Sequence, residues 1–318
     1  MKLAVLGPGG VGGLLAGALD RAGSQVAVVA RESTAETIAR HGVDVHSVVL
    51  GDFVAHPRAL ARLSEPVDAL IVATKASGLS AALARVAATP TLVLPLLNGL
   101  DHLALLRERF PPASVLAGSI RVEADRPQPG VVVHTSRFLL VSIASQYPSA
   151  HPAMRALADT LAHAHIPVQV LDSEAQVMWS KLVRLNALAC VTSAHDVLLG
   201  EIRATPALHA ELVGAIEEAS AVAKAEGASD VNAAKAAAEL EAAHDTLGSS
   251  MQRDIAAGRE PELDAIPGSV LRAAARHGIA CPTIERLVAL IQARIDARGV
   301  GVAGVGAAGV GAAEGGCG

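Results

Sequence analysis

Short, nearly unbroken apolar runs punctuate the first half of the chain: KLAVL at 2–6, QVAVVA at 25–30, VDALIVAT at 67–74 and TLVLPL at 91–96. Runs of this length, rich in β-branched residues, predict strands buried on both faces. Between them, apolar positions recurring at helical spacing predict helices at 11–22, 33–41, 56–63 and 78–88. Alternating strands and helices imply a parallel sheet covered on both sides. Further strand-like runs at 115–122, 130–135, 137–143 and 167–171, with a helix at about 151–165, extend this region.

From Asp172 the pattern changes. Strand signals vanish, and Ala/Leu-rich stretches with 3.6-residue spacing fill 173–193, 206–227, 232–257, 262–278 and 283–298. The pattern therefore predicts an α/β domain over residues 1–171 and an all-α domain over 172–298. The remaining GVGVAGVGAAGVGAAEGGCG, 299–318, is a low-complexity segment expected to be disordered, because ordering so much glycine costs too much entropy.

Composition narrows the class. The 318 residues are 51% hydrophobic but only 2% aromatic, so two cores must be built from aliphatic side chains. A net charge of −5 argues against a nucleic-acid surface. Cys190, Cys281 and Cys317 share no metal-like or C-x-x-C spacing, which points to a reducing compartment. Met1-Lys2 leads straight into a strand, leaving no leader, and no apolar run approaches the roughly 18 residues of a membrane span. The expectation is a cytoplasmic enzyme or binding protein, with long helices that could support a homodimer.

The first chemistry lies in GPGGVG: Gly7, Pro8, Gly9, Gly10, Val11 and Gly12. The G-x-G-x-x-G spacing alone is weak in a chain with 29 glycines, but here it joins a strand to a helix inside one βαβ unit. Gly7 would make the tight turn, Gly9 would let the backbone approach a pyrophosphate, and Gly12 would let the helix pack on the strand. The phosphates would sit at the helix N-terminus. An NAD site usually carries Asp or Glu at the end of the second strand. This chain has VVARES instead, placing Arg31 there to grip a 2′-phosphate and favouring NADP. Two alternatives stay open at this point: Arg31 as a solvated loop residue, and the adjacent Glu32 turned toward a ribose.

Three more stretches carry unusual polar residues. Lys75 in IVATKAS and Asn98 in PLLNGLDH follow apolar strands, at the edge where open α/β sheets bind ligands. AQVMWSKLVRLNALACVTSA is an apolar helix carrying Lys181 near the only tryptophan, Trp179. LGSSMQRDIAAGREPELDAIPG offers Ser249, Ser250, Glu262 and Asp264. Read singly, the lysine could snorkel, a serine could cap a helix, and the acids could lie on a solvated face.

Together GPGGVG, Arg31, TKA, LNG, W-x-K-L and SSM…R-x-x-ELDAI-x-G resemble, in order and spacing, the ketopantoate reductases (2-dehydropantoate 2-reductases) over residues 1–298. The resemblance implies a Rossmann-type domain, a helical domain, a cleft between them, NADPH as cofactor and a small-molecule 2-oxo acid as substrate. It implies that Lys181 is the catalytic proton donor and that Glu262 is a carboxylate orienting the substrate and interacting with that lysine. Asn98, Ser250 and Lys75 would bind substrate, with Asn98 and Lys75 also near the cofactor. The chain departs from the family pattern where asparagines are common, with Leu185, Ala189 and Pro267 in those places. Asn186 is one residue, about 100°, out of step with the first. Those departures leave open a related reductase of another ketone, 2-oxo acid or imine. A non-catalytic dinucleotide-binding protein is the other class, against which the retained Lys181 and Glu262 speak.

Overall fold

The structure is a computed structural model and describes residues 1–298; the expected disordered segment at 299–318 lies outside them. Five strands form a parallel sheet: β1 (Lys2–Leu6), β2 (Gln25–Val29), β5 (Arg58–Leu60), β6 (Ala69–Val72) and β7 (Leu92–Pro95), in the order β5-β2-β1-β6-β7. The order reverses direction between β1 and β6, the place where such sheets open a ligand crevice. Alternation along each strand feeds two separate cores. Leu3 and Val5 of β1 and Ala69 and Ile71 of β6 pack on one face, while Ala4, Leu6, Leu70 and Val72 pack on the other. With so few aromatics, stability rests on many aliphatic burials of ~1.5–3 kcal/mol each.

Helix α1 (Gly10–Arg21) covers one face and α2 (Glu32–His41) follows β2. A second sheet, β3 (Val43–Ser47), β4 (Phe53–Ala55), β9 (Ala124–Gln128) and β10 (Val131–His134), lies over α1. Contact is close because α1 is glycine-rich there: a Cβ on Gly13 would lie 2.6 Å from Val132 Cγ2. A third sheet joins β8 (Ala117–Arg121), β11 (Leu140–Ala144) and β12 (Val168–Val170). Short helices α3 (Leu79–Leu83) and α4 (His102–Arg109) follow β6 and β7, and α5 (His151–His163) precedes β12.

Everything after β12 is helical: α6 (Glu174–His195), α7 (Leu199–Ala204), α8 (Pro206–Ala225), α9 (Ala233–Glu241), α10 (Ser250–Ala256), α11 (Ser269–His277) and α12 (Pro282–Ala297). The fold is thus the expected α/β part followed by an all-α part. Helix α6 is its axis, capped at its start by the Ser173 hydroxyl accepting from Gln176 N and buried along most of its length around Trp179. No helix among the described residues is long and apolar enough to cross a membrane.

Several elements differ from the pattern-based expectation. Residues 56–63 are not helical; Arg58–Leu60 instead pairs in parallel with Ala27–Val29, so the open edge of the sheet decides over local spacing. β3, β4, β9, α4 and α7 carry too little periodic signal and were not anticipated. The stretch 232–257 breaks between Glu241 and Ser250, where Ser249 caps α10. The stretch 262–278 begins as a π-helical turn, Asp264–Gly268, around Pro267, whose missing N–H favours the wider winding.

Candidate active site

The carboxyl edge of the parallel sheet gathers the loops that carry chemistry. After β1 the chain turns at Gly7, whose φ of +89° and 2.6 Å clearance to Thr74 Cγ2 exclude a side chain. A Cβ on Gly12 would strike Gly7 O at 2.2 Å, and one on Gly10 would strike Ala124 O at 2.3 Å. At Gly9 a Cβ would meet nothing within 4 Å, so this position faces open space directly before the first turn of α1. No side chain caps α1, and its leading N–H groups stay available to an anion. Pro8 is buried beneath this loop and Val11 half-buried behind it.

Arg31 closes the turn after β2, exposed, and its guanidinium has no hydrogen bond or ion pair among the described residues. Glu32, the rival for that corner, is held by Arg85 at 3.0 and 3.3 Å, and that hydrogen-bonded pairing keeps its carboxyl below the usual carboxylate range.

One hydrogen-bonded row joins the two halves of the molecule. Lys181 Nζ donates to Asn98 Oδ1 at 2.8 Å, and Asn98 Nδ2 donates to Glu262 Oε2 at 2.8 Å. Ala76 N approaches the other oxygen of Glu262 at 3.4 Å. Asn98 follows β7 in the sheet half, whereas Lys181 comes from α6 and Glu262 from the turn before Asp264–Gly268. Burial pushes the Lys181 ammonium down to about 8, against the pull of Glu262 and with the help of Arg184 and Arg121. A lysine in this range is a better acid than a free one and still carries its proton at neutral pH.

The other anticipated residues fall in distinct places. Lys75 reaches the helical half, with Nζ 2.8 Å from Asp254 Oδ2 and 3.1 Å from Glu260 O, so two of its three donors act as an interdomain tie. Asp254 is nearly buried and also accepts from Arg259 Nε at 2.9 Å. Ser249 is the cap of α10 and hydrogen-bonds Thr192 Oγ1 at 2.8 Å. Ser250 next to it is half-buried, and its hydroxyl is unpartnered among the described residues. Asp264 belongs to a second tie, in which Arg272 bridges it and Asp101 at 2.6 Å each. Leu185 and Ala189 continue the Lys181 side of α6 at successive i+4 positions, and both are apolar. Asn186 points away into the helical core, fully buried, where Cys190 Sγ approaches its Oδ1 at 3.6 Å. Sequence reasoning overlooked Asp254, Arg121 and Arg184. Arg184, a charge three residues past Lys181 on an otherwise apolar helix, was the one visible signal.

A switch-point glycine loop sharing a sheet edge with an ammonium–amide–carboxylate row defines an oxidoreductase acting on a CH–OH/carbonyl pair. The description "Ketopantoate reductase PanE/ApbA" fits residues 3–142, and its C-terminal counterpart fits residues 175–295. The chain belongs to the ketopantoate reductase family. Among its relatives, the 2-dehydropantoate 2-reductase of Halobacterium salinarum is 30% identical over 301 residues, covering 92% of this chain and 98% of that one. The crystal structure of 2-dehydropantoate 2-reductase from Geobacter metallireducens superposes with a TM-score of 0.85 at 25% identity, covering 92% and 99% of the two chains. D-mandelate dehydrogenase, solved with NADH and anilino(oxo)acetate, shares the fold at a TM-score of 0.85 and 22% identity, with coverage of 94% and 100%.

Proposed function

We propose that this protein reduces a 2-oxo acid to the corresponding 2-hydroxy acid with NADPH. The observation that carries the reading is the Lys181–Asn98–Glu262 row at the sheet edge that also bears the glycine loop. The loop fits a dinucleotide. Gly9 leaves the approach open, the first N–H groups of α1 suit a pyrophosphate, and Arg31 is free for a 2′-phosphate while Glu32 is engaged by Arg85. When bound, the reduced nicotinamide supplies the hydride.

The protein's own residues supply the rest. Asn98 takes one N–H of Lys181 and leaves two to point at a carbonyl oxygen. As negative charge develops on that oxygen, Lys181 Nζ stabilises it and passes a proton to it. Glu262 holds the Asn98 amide in register and favours the charged lysine. The hydroxyl of Ser250 and the third donor of Lys75 would bind polar groups of the ligands. Two buried, unpaired thiols, Cys190 and Cys281, support a place in the reducing cytoplasm.

Family membership makes ketopantoate the first substrate to try. Leu185 and Ala189 favour a second choice, a 2-oxo acid whose side chain is apolar, because they offer nothing to a hydroxyl. A panel of 2-oxo acids followed by loss of NADPH absorbance tests both. Turnover of none of them would overturn the proposal.

A further inference from the structure

Two guanidiniums meet beside Lys181 with too little to hold. Arg121 ends β8 in the sheet half; Arg184 stands on α6, one turn beyond Lys181. Arg121 Nη2 donates to the backbone oxygen of Ser180 at 3.3 Å, which lays its side chain over the turn that carries Lys181. Both arginines look to one oxygen, Oε2 of Glu239 on α9, from 3.4 Å for Arg121 Nη1 and 3.6 Å for Arg184 Nε. Those separations exceed the roughly 2.7–2.9 Å of a well-formed charge-assisted bond. Arg184 Nε is buried without a hydrogen-bond partner. Glu123 is close enough to favour the charged form of Arg184, yet forms no ion pair with either arginine among the described residues.

Two adjacent cations only 29% and 20% exposed, sharing one distant carboxylate, are costly to bury unless another anion joins them. Their location says which anion. Just past Arg121, Ala124 O sits where a Cβ on Gly10 would clash at 2.3 Å, so this segment abuts the glycine loop on one side and α6 on the other. Arg121 thus ends a strand whose continuation reaches the dinucleotide loop, and both guanidiniums lie close enough to Lys181 to act on its charge.

We propose that Arg121 and Arg184 anchor the carboxylate of the substrate, a subsite the resemblance to the family did not assign. The proposal rests on the 2-oxo acid reductase reading. A 2-oxo acid carries its carboxylate on the carbon that bears the reacting oxygen, so fixing the one at the guanidiniums while Lys181 holds the other leaves a single orientation. The side chain then runs along α6 toward Leu185 and Ala189. The substrate class is a 2-oxo monocarboxylic acid with an apolar side chain.

The test compares 3-methyl-2-oxobutanoate with its methyl ester, which keeps the ketone and loses the charge, in wild type, Arg184→Met, Arg121→Met and Arg184→Lys. Each Met variant should lose roughly 10–100-fold in kcat/KM on the acid, mainly through KM, while the ester is unaffected. Calorimetry with oxamate in the presence of NADP should show the same loss while NADP affinity stays constant. Glu239→Gln should tighten oxamate by freeing the pair, and this variant answers the question even if a Met variant fails to fold. Equal losses on acid and ester, or oxamate binding unchanged across the set, would overturn the anchor and leave the reductase reading intact. Wild type that binds oxamate through these arginines but reduces no member of the 2-oxo acid panel would overturn the reductase reading instead. Neither binding nor reduction would remove both.

Discussion

Lys181 and Glu262 both belong to the helical half and do not touch; the amide of Asn98, from the sheet half, spans them, accepting from one and donating to the other. The amide has one satisfactory orientation, because the reverse would oppose donor to donor and acceptor to acceptor. The carboxylate thus acts on the ammonium through a neutral group from the other half of the molecule. The lysine feels attraction without the direct ion pair that would hold its proton fast.

This arrangement predicts two different outcomes at one position. Asn98→Ala should lower turnover by about 10²-fold by freeing the ammonium to wander. Asn98→Asp should also lower it, and should move the alkaline limb of the pH profile upward, since a second carboxylate favours the charged lysine. A folded Asn98→Ala variant with normal kcat would exclude the amide from the mechanism.

In the proposed mechanism only protonated Lys181 donates, and burial pushes its ammonium down to about 8. The rate of reduction should therefore hold at neutral pH and fall about tenfold per unit above that value. Glu262→Gln removes the group that raises the lysine and should shift the fall to lower pH. Lys181→Ala should cost roughly 10²–10⁴-fold in kcat, with NADPH affinity unchanged, and Lys181→Arg should not restore it. An alkaline limb that survives in Lys181→Ala would assign it to another group.

Arg31 has no hydrogen bond or ion pair among the described residues, so its removal disturbs none of their contacts. Arg31→Ala should weaken NADPH binding by roughly 1.5–3 kcal/mol and leave NADH nearly unaffected. Titration of both cofactors by fluorescence decides; equal losses would show that the guanidinium does not meet a 2′-phosphate.

His102 opens α4 with both ring nitrogens buried and unpartnered, and burial depresses it to about 4. Between pH 6.5 and 4 the unfolded chain binds a proton that the folded chain refuses. Stability present above 6.5 should then drain away as pH falls through this window, by up to ~3 kcal/mol. His102→Leu should flatten that part of the curve. Urea midpoints for both proteins at neutral and acidic pH measure the difference, and parallel curves would count against it.

Leu185 and Ala189 offer no polar side chain where asparagines are common in the family. Ketopantoate and its deoxy analogue should therefore be reduced with kcat/KM values far closer than the ~10⁴-fold separation a dedicated hydroxyl site can reach. Discrimination of that size would require another donor in the pocket.

Much of this was legible from local signals. The strands at 2–6 and 67–74 announce themselves because both faces are buried, and GPGGVG because Gly7, Gly10 and Gly12 make contacts too close for a side chain. Lys181 and Glu262 stand out as polar residues in apolar or turn segments, but their roles come from a resemblance, since nothing near Lys181 in the chain marks an acid. What stayed hidden depends on distance. Asp254 meets Lys75 across 179 residues, and Arg121 meets Glu239 across 118. The strand Arg58–Leu60 reads as helix until the edge of β2 is there to pair with it. Asn186, out of step with the family's asparagine by one residue, is a core residue.

Helix α6 carries Lys181, the proposed proton donor, on one turn and, four and eight residues later, Leu185 and Ala189. Because Asn98 and Glu262 steady the first of these from outside the helix, the later two are free to vary. On the proposed reading, reactivity and selectivity occupy separate addresses on one rod. A lineage, or a designer, can exchange one carbonyl compound for another by rewriting residues 185 and 189 while the acid that serves them all is left untouched.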